Sequence, residues 1–154
     1  MSMALAQTMN PFPDSGGLPR TEVTFPSDTA EARRLQDAIE ENLRGNSFTD
    51  HEIFGIRLAL EEALVNAIKH GNQMDRTKNV HVAYHVTNDR FDIFIKDEGS
   101  GFDPGDVPDP TAVENLERPC GRGLMLMRHY MTEVHFSDRG NSVTMCKLRN
   151  GKKQ

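Results

Sequence analysis

The chain has 154 residues, a length that suits one domain with a sizeable core. Its formal net charge is -5 and no basic stripe runs through it, which argues against direct nucleic-acid binding. No apolar run approaches the roughly 20 residues that span a bilayer, and no basic segment leads into an apolar one at the N-terminus, so the expectation is a cytoplasmic protein with no membrane partner.

Met1 to Pro19 carries Pro11, Pro13, Gly16, Gly17 and Pro19 with little periodicity. This predicts a mobile tail over 1–20, a domain over 21–149 and a short tail over 150–154. Val23 and Phe25 read as a short strand that ends at Pro26. Ser27 or Asp28 can cap a helix through about Leu43, stopped by Gly45-Asn46. Asp50 is expected to cap a second helix, in which Ile53, Ile56, Leu60, Leu64 and Ala67 recur at three- and four-residue steps until Gly71-Asn72. Val80, Val82, Tyr84 and Val86 alternate with polar residues, and Asn88-Asp89 turns that strand into a second, Phe91 to Lys96. A third helix is predicted over about Gly123 to Met131. Val134–Phe136 and Ser142–Leu148 then form a closing hairpin around Asp138 to Asn141. The pattern is α+β, a single mixed, largely antiparallel sheet covered on one face by a layer of helices.

Three segments carry chemistry. The first is Glu62-Ala-Leu-Val-Asn66-Ala-Ile-Lys-His-Gly71-Asn72, which sets an asparagine inside an otherwise strong helix. Asn is a poor interior helix residue, because its short amide competes for backbone groups. Glu62 and Asn66 stand four apart and project from one face. Stacked carboxylate and amide oxygens suit a hard cation or a water, although a solvated polar face has the same pattern. Neighbouring Glu61 lies four after Arg57 and is expected to pair with it at the surface.

The second segment runs from the Phe91 strand into Asp97-Glu-Gly99-Ser-Gly101. Glycines after a strand let backbone approach a ligand, and Asp97 can accept a hydrogen bond from an exocyclic amine, the contact that tells adenine from guanine. A simple turn rich in Asp and Gly reads the same way. The third is Cys120-Gly121-Arg122-Gly123-Leu-Met-Leu-Met-Arg128, two glycines before an apolar helical run. There a helix N-terminus can offer free amides to phosphate, with Arg122 as a further donor. Neither a P-loop nor a dinucleotide-binding Gly-x-Gly-x-x-Gly is present.

Other residues carry less. Cys120 and Cys146 form no metal pattern and read as free thiols. His81 and His85 share a strand face, too far apart to chelate one ion, and read as surface histidines. Asp103 to Pro119, with four prolines among several acids, is long enough for a functional loop.

Taken together, in this order and at these distances, the three segments resemble the N, G1 and G2 boxes of the Bergerat-fold ATPases. That superfamily includes gyrase B, the catalytic domains of histidine kinases and the bacterial anti-sigma-factor serine kinases. The short link between the G1 and G2 boxes and the ending Gly-Arg-Gly-Leu-Met-Leu-Met-Arg are most similar to the anti-sigma serine kinases, and the resemblance covers Thr21 to Arg149. It implies that Glu62 is the general base on an attacking hydroxyl and that Asn66 binds the Mg²⁺ bridging the phosphates of ATP. It implies that Asp97 recognises the adenine amino group, with Gly99 and Gly101 beneath the base. Gly121, Arg122, Gly123 and Leu124 would wrap the triphosphate, with Lys69 as a further phosphate ligand. Thr144 would stand near the base on the last strand, although the usual Gly-Thr pair reads Gly140-Asn141 here. The segment from Asp103 to Pro119 would be the ATP lid.

The implied function is a protein serine/threonine kinase that binds ATP and Mg²⁺, sequesters a sigma factor or similar regulator, and phosphorylates an anti-anti-sigma-type antagonist. Members commonly dimerise, which implies a homodimer. The alternative is a non-catalytic ATP-gated binding switch. A histidine-kinase fragment or a gyrase-like enzyme is not expected, since no dimerising helical hairpin precedes the domain and no transducer domain follows it.

Overall fold

The computed structural model describes residues 20–99 and 119–149, without the side chains of 119–122. The predicted tails apart from Arg20, the lid up to Pro119, and Gly101 lie outside the described residues. Among the described residues no helix is long and apolar enough to cross a membrane.

Five strands form one sheet: β1 (Thr21–Pro26), β2 (Asn79–Val86), β3 (Arg90–Lys96), β4 (Glu133–Phe136) and β5 (Ser142–Leu148). Their order is β1-β2-β3-β5-β4, and among the described residues all four pairings are antiparallel, with no parallel pair to make the sheet mixed. Side chains alternate across a strand. Phe25, Val80, Val82, Tyr84, Phe91, Ile93, Ile95, Val134, Val143 and Met145 accordingly share one face and join the core.

Among the described residues three α-helices cover that face: α1 (Thr29–Gly45), α2 (Asp50–Val65) and α3 (Pro119–Tyr130). Asp28 caps α1, its carboxylate accepting from Ala30 N–H at 2.8 Å. The cap of α2 is Thr49 rather than the expected Asp50. Thr49 Oγ1 accepts from Glu52 N–H (3.1 Å) while Glu52 Oε1 accepts from Thr49 N–H (2.8 Å). This reciprocal capping box satisfies two otherwise orphaned donors, so it outcompetes a lone Asp one residue later. Leu35, Ile39 and Leu43 of α1 and Ile53, Ile56, Leu60 and Leu64 of α2 are buried against the sheet. Each such side chain contributes about 1.5–3 kcal/mol.

The expected Arg57–Glu61 pair is not made. Arg57 reaches across to α1, at 3.1 Å from Asp37 and 2.9 Å from Glu40, and Glu61 accepts from Gln36 Nε2 at 2.9 Å.

Candidate nucleotide site

The second helix does not run through to Gly71 as an α-helix. It passes at Asn66 into a π-helical turn, Asn66–Gly71, closed by Asn72 N–H donating to Ala67 C=O at 2.8 Å. Bulges of this kind gather at functional sites because the wider turn re-aims the side chains around it. After the turn Gln73 and Met74 adopt φ of 55° and 59°, each at about 1–3 kcal/mol of backbone strain.

The first end of the turn faces α3. Glu62 lies one helical turn before Asn66, and both meet Gly123. A methyl group built on Gly123 would stand 2.7 Å from Glu62 Oε1 and 3.4 Å from Asn66 Nδ2. Glycine thus lets the α3 backbone close over the pair. Asn66 Oδ1 is buried with no hydrogen-bond partner. Orphaned buried polar atoms are rare in native proteins, and a neutral amide oxygen is a ligand type that Mg²⁺ accepts. The residues present fit that ion.

The second end faces the outlet of β3. Asp97 is 7% exposed, and burial holds its carboxyl above the ordinary aspartate range, opposed by a 2.8 Å hydrogen bond from Gly99 N–H to Oδ1. A methyl group on Gly71 would lie 2.2 Å from Asp97 Oδ2, and one on Gly99 would lie 2.0 Å from Gly71 O. The two glycines and the carboxylate therefore interlock at van der Waals contact. Asn72 is fully buried beside them. Its Nδ2 donates to Ser27 Oγ (3.0 Å) and Asn79 C=O (3.0 Å), and its Oδ1 accepts from Glu98 N–H (2.8 Å).

One six-residue turn thus carries an open oxygen at one end and a buried carboxylate docked on the other. The histidine kinase-like ATPase domain family matches residues 25–147, from β1 to β5. The chain belongs to this family. It is 36% identical over 115 residues to the serine-protein kinase RsbW of Bacillus licheniformis, covering 69% of each chain. It is 32% identical over 114 residues to RsbW of Bacillus subtilis (69% of this chain, 71% of the relative). It is also 31% identical over 108 residues to the anti-sigma F factor of Clostridium perfringens (66% and 76%). A crystal structure of the RsbU and RsbW domains of a Mycobacterium tuberculosis protein shares the fold, with a TM-score of 0.57 at 17% identity, covering 86% of this chain and 32% of that one.

Within this ATPase domain not every expected residue reaches the site. Thr144 sits on the sheet face away from the helices, paired with Phe94 and His135. Alternation sends its core-facing neighbours Val143 and Met145 toward the helices instead. The part of the last strand that meets Asp97 is the backbone just before it, where Asn141 C=O accepts from Asp97 N–H at 2.9 Å. Leu124 packs against the core edge, and Lys69 is exposed on the turn. The third helix starts at Pro119, not at the expected Gly123, so Gly121, Arg122 and Gly123 lie in its first turns. Proline is suited to that opening position, because its missing N–H is one the helix would leave unpaired.

His85 is not a surface histidine. It is 5% exposed on the outer sheet face, its Nε2 3.3 Å from Asp92 Oδ2, and burial pushes its imidazole pKa down. Arg90 clamps Asp92 (2.8 and 2.9 Å) and donates to Cys146 Sγ at 3.1 Å. The Cys146 thiol is free and pushed up to about 12 by burial, hence inert. His81 stays partly exposed, 2.7 Å from Glu98 Oε2. Among the described residues no cluster of metal-ligating side chains forms.

Gly71 and Asn72, expected only as a helix stop, are part of the site as well. Their signal was present: a glycine and a second asparagine close a segment already marked by Asn66.

Proposed function

We propose that this chain is a protein serine/threonine kinase of the anti-sigma-factor type, using ATP and Mg²⁺. It holds a sigma factor or similar regulator and phosphorylates a serine or threonine on an anti-anti-sigma-type antagonist, acting in the cytoplasm as a homodimer. The observation that carries the reading is the π turn. Its Asn66 end offers an oxygen with Glu62 and the α3 backbone beside it, and its Gly71 end docks on Asp97. The names of the relatives support the same reading.

In this reading Asp97 accepts from the adenine amino group, and Gly99 and Gly101 are assigned to the same base. Asn66 would hold Mg²⁺, and Gly121, Arg122 and Gly123 would bind the phosphates. When bound, the cation neutralises phosphate charge, the main requirement of phosphoryl transfer. Glu62 orients the incoming hydroxyl and takes its proton as oxygen bonds to the γ-phosphorus. The bond from that phosphorus to the β–γ bridging oxygen breaks, and ADP leaves. The new phosphate carries about two negative charges, which weakens the contact between kinase and antagonist.

The test is transfer. Purified protein is mixed with γ-labelled ATP, Mg²⁺ and an anti-anti-sigma-domain protein from the same genome. Label on a serine or threonine is the expected result. ATP binding with no label on any such domain would favour the ATP-gated switch.

A further inference from the structure

We infer that Asn72 is a positioning residue for base recognition, holding the peptide after Asp97 so that the carboxylate keeps its direction. This rests on the nucleotide reading above. Three consecutive amides define the loop that leaves β3. Asp97 N–H donates to Asn141 C=O (2.9 Å), Glu98 N–H to Asn72 Oδ1 (2.8 Å) and Gly99 N–H to Asp97 Oδ1 (2.8 Å). The first is backbone pairing and the third is internal to the loop. Only the middle one reaches the loop from the π turn, so Asn72 ties the adenine loop to the element that begins at Asn66.

The site demands an amide. Asn72 uses both Nδ2 hydrogens, on Ser27 Oγ and Asn79 C=O, and its oxygen on Glu98. A carboxylate lacks the two donors and an apolar side chain lacks all three partners. Ser27 is itself fixed, donating its hydroxyl to Lys78 C=O at 2.9 Å. The amide has a second anchor point in Asn79 C=O at the start of β2, so Asn72 still holds the peptide whose torsions aim Asp97 when the Ser27 contact is lost. With the bond gone, that peptide can rotate and Asp97 is no longer pressed onto Gly71. The Asn72 side chain bonds to none of the residues at the Asn66 end.

ATP and GTP affinities, each with and without Mg²⁺, are measured by calorimetry on the full chain, on Asn72→Ala and on Ser27→Ala. Unsubstituted protein is expected to prefer ATP, and failure there would sink the nucleotide reading rather than this inference. Asn72→Ala should lose about tenfold in ATP affinity, the weight of one charge-assisted hydrogen bond. GTP affinity and the Mg²⁺ effect should be unchanged, so the ATP/GTP ratio shrinks. Ser27→Ala, which removes the anchor beneath but leaves the Glu98 bond, should lower the melting temperature and keep the ratio. A wild-type ratio in folded Asn72→Ala, or an equal loss in Ser27→Ala, overturns the inference. Where Asn72→Ala does not fold, the unsubstituted protein decides by hydrogen exchange. The Glu98 amide should exchange slowly and slow further with ATP but not with GTP, and exchange at the rate of an unstructured peptide overturns the assignment.

Discussion

The two ends of the π turn are built on opposite principles. At Gly71 and Asn72 the buried Asn72 amide has all three of its partners and the glycines leave no room for a methyl group. At Asn66 a buried oxygen has none. The first end is complete before a ligand arrives, as recognition of a flat base by one carboxylate requires. The second leaves a polar group unsatisfied, which costs about 1–3 kcal/mol unless a ligand or water supplies the partner. Recognition is preorganised at one end, and stabilisation of charge waits for the ligand at the other.

The largest expected effect belongs to the open end. Glu62→Gln keeps size but removes the base, so phosphorylation of the antagonist should fall by about 10²–10⁴-fold while ATP affinity changes little. Glu61→Gln should do far less, since that side chain serves the α1–α2 contact through Gln36. A rate assay in which Glu61 proves the sensitive residue would move the catalytic face by one position.

Next comes the tight end. A methyl group at Gly71 would stand 2.2 Å from Asp97 Oδ2, so Gly71→Ala must displace the carboxylate. Overpacking of this kind costs about 1–3 kcal/mol. The melting temperature should drop, and ATP affinity should fall by about tenfold or more if Asp97 is the base contact. Unchanged ATP affinity in a folded Gly71→Ala would show that the interlock does not serve binding.

The smallest effect is with pH. Burial raises the Asp97 carboxyl above its ordinary value of 3.8, so this group's contribution to stability falls as the pH rises from 3.8 through the raised value. Binding has the opposite sign, because the adenine amine is accepted best by the ionised form. ATP affinity should be full above the raised pKa and weaken as the pH falls through it. Asp97→Asn should abolish that dependence, which titration calorimetry across mildly acid pH would check.

Much of this architecture was legible in the sequence, and the misses share a cause. Strands β1 to β5 and the ends of α1 follow from alternation, Asp28 and Gly45-Asn46, all local signals. The π turn is invisible to a 3.6-residue period, because one inserted residue leaves Ala67 and Ile68 still buried. Thr144 was expected near the base, but the strand's parity, fixed by Val143 and Met145 in the core, turns it to the other face. Arg57 is expected to pair along its own helix and His85 to lie at the surface, yet both meet carboxylates of another element, Asp37 and Glu40 for one and Asp92 for the other. Local chemistry is readable one element at a time. Pairing across elements is not.

The most direct test of the division between the two ends is a crossed measurement of nucleotide affinity in Asn66→Ala and Asp97→Asn, each with ATP and GTP, with and without Mg²⁺. Asn66→Ala should lose the gain in affinity that Mg²⁺ confers yet still prefer ATP to GTP. Asp97→Asn should keep the Mg²⁺ gain and lose about tenfold or more for ATP, with little change for GTP. If both substitutions erase both properties to the same extent, or if Asn66→Ala retains the full Mg²⁺ effect, the two ends of the turn do not have separate roles.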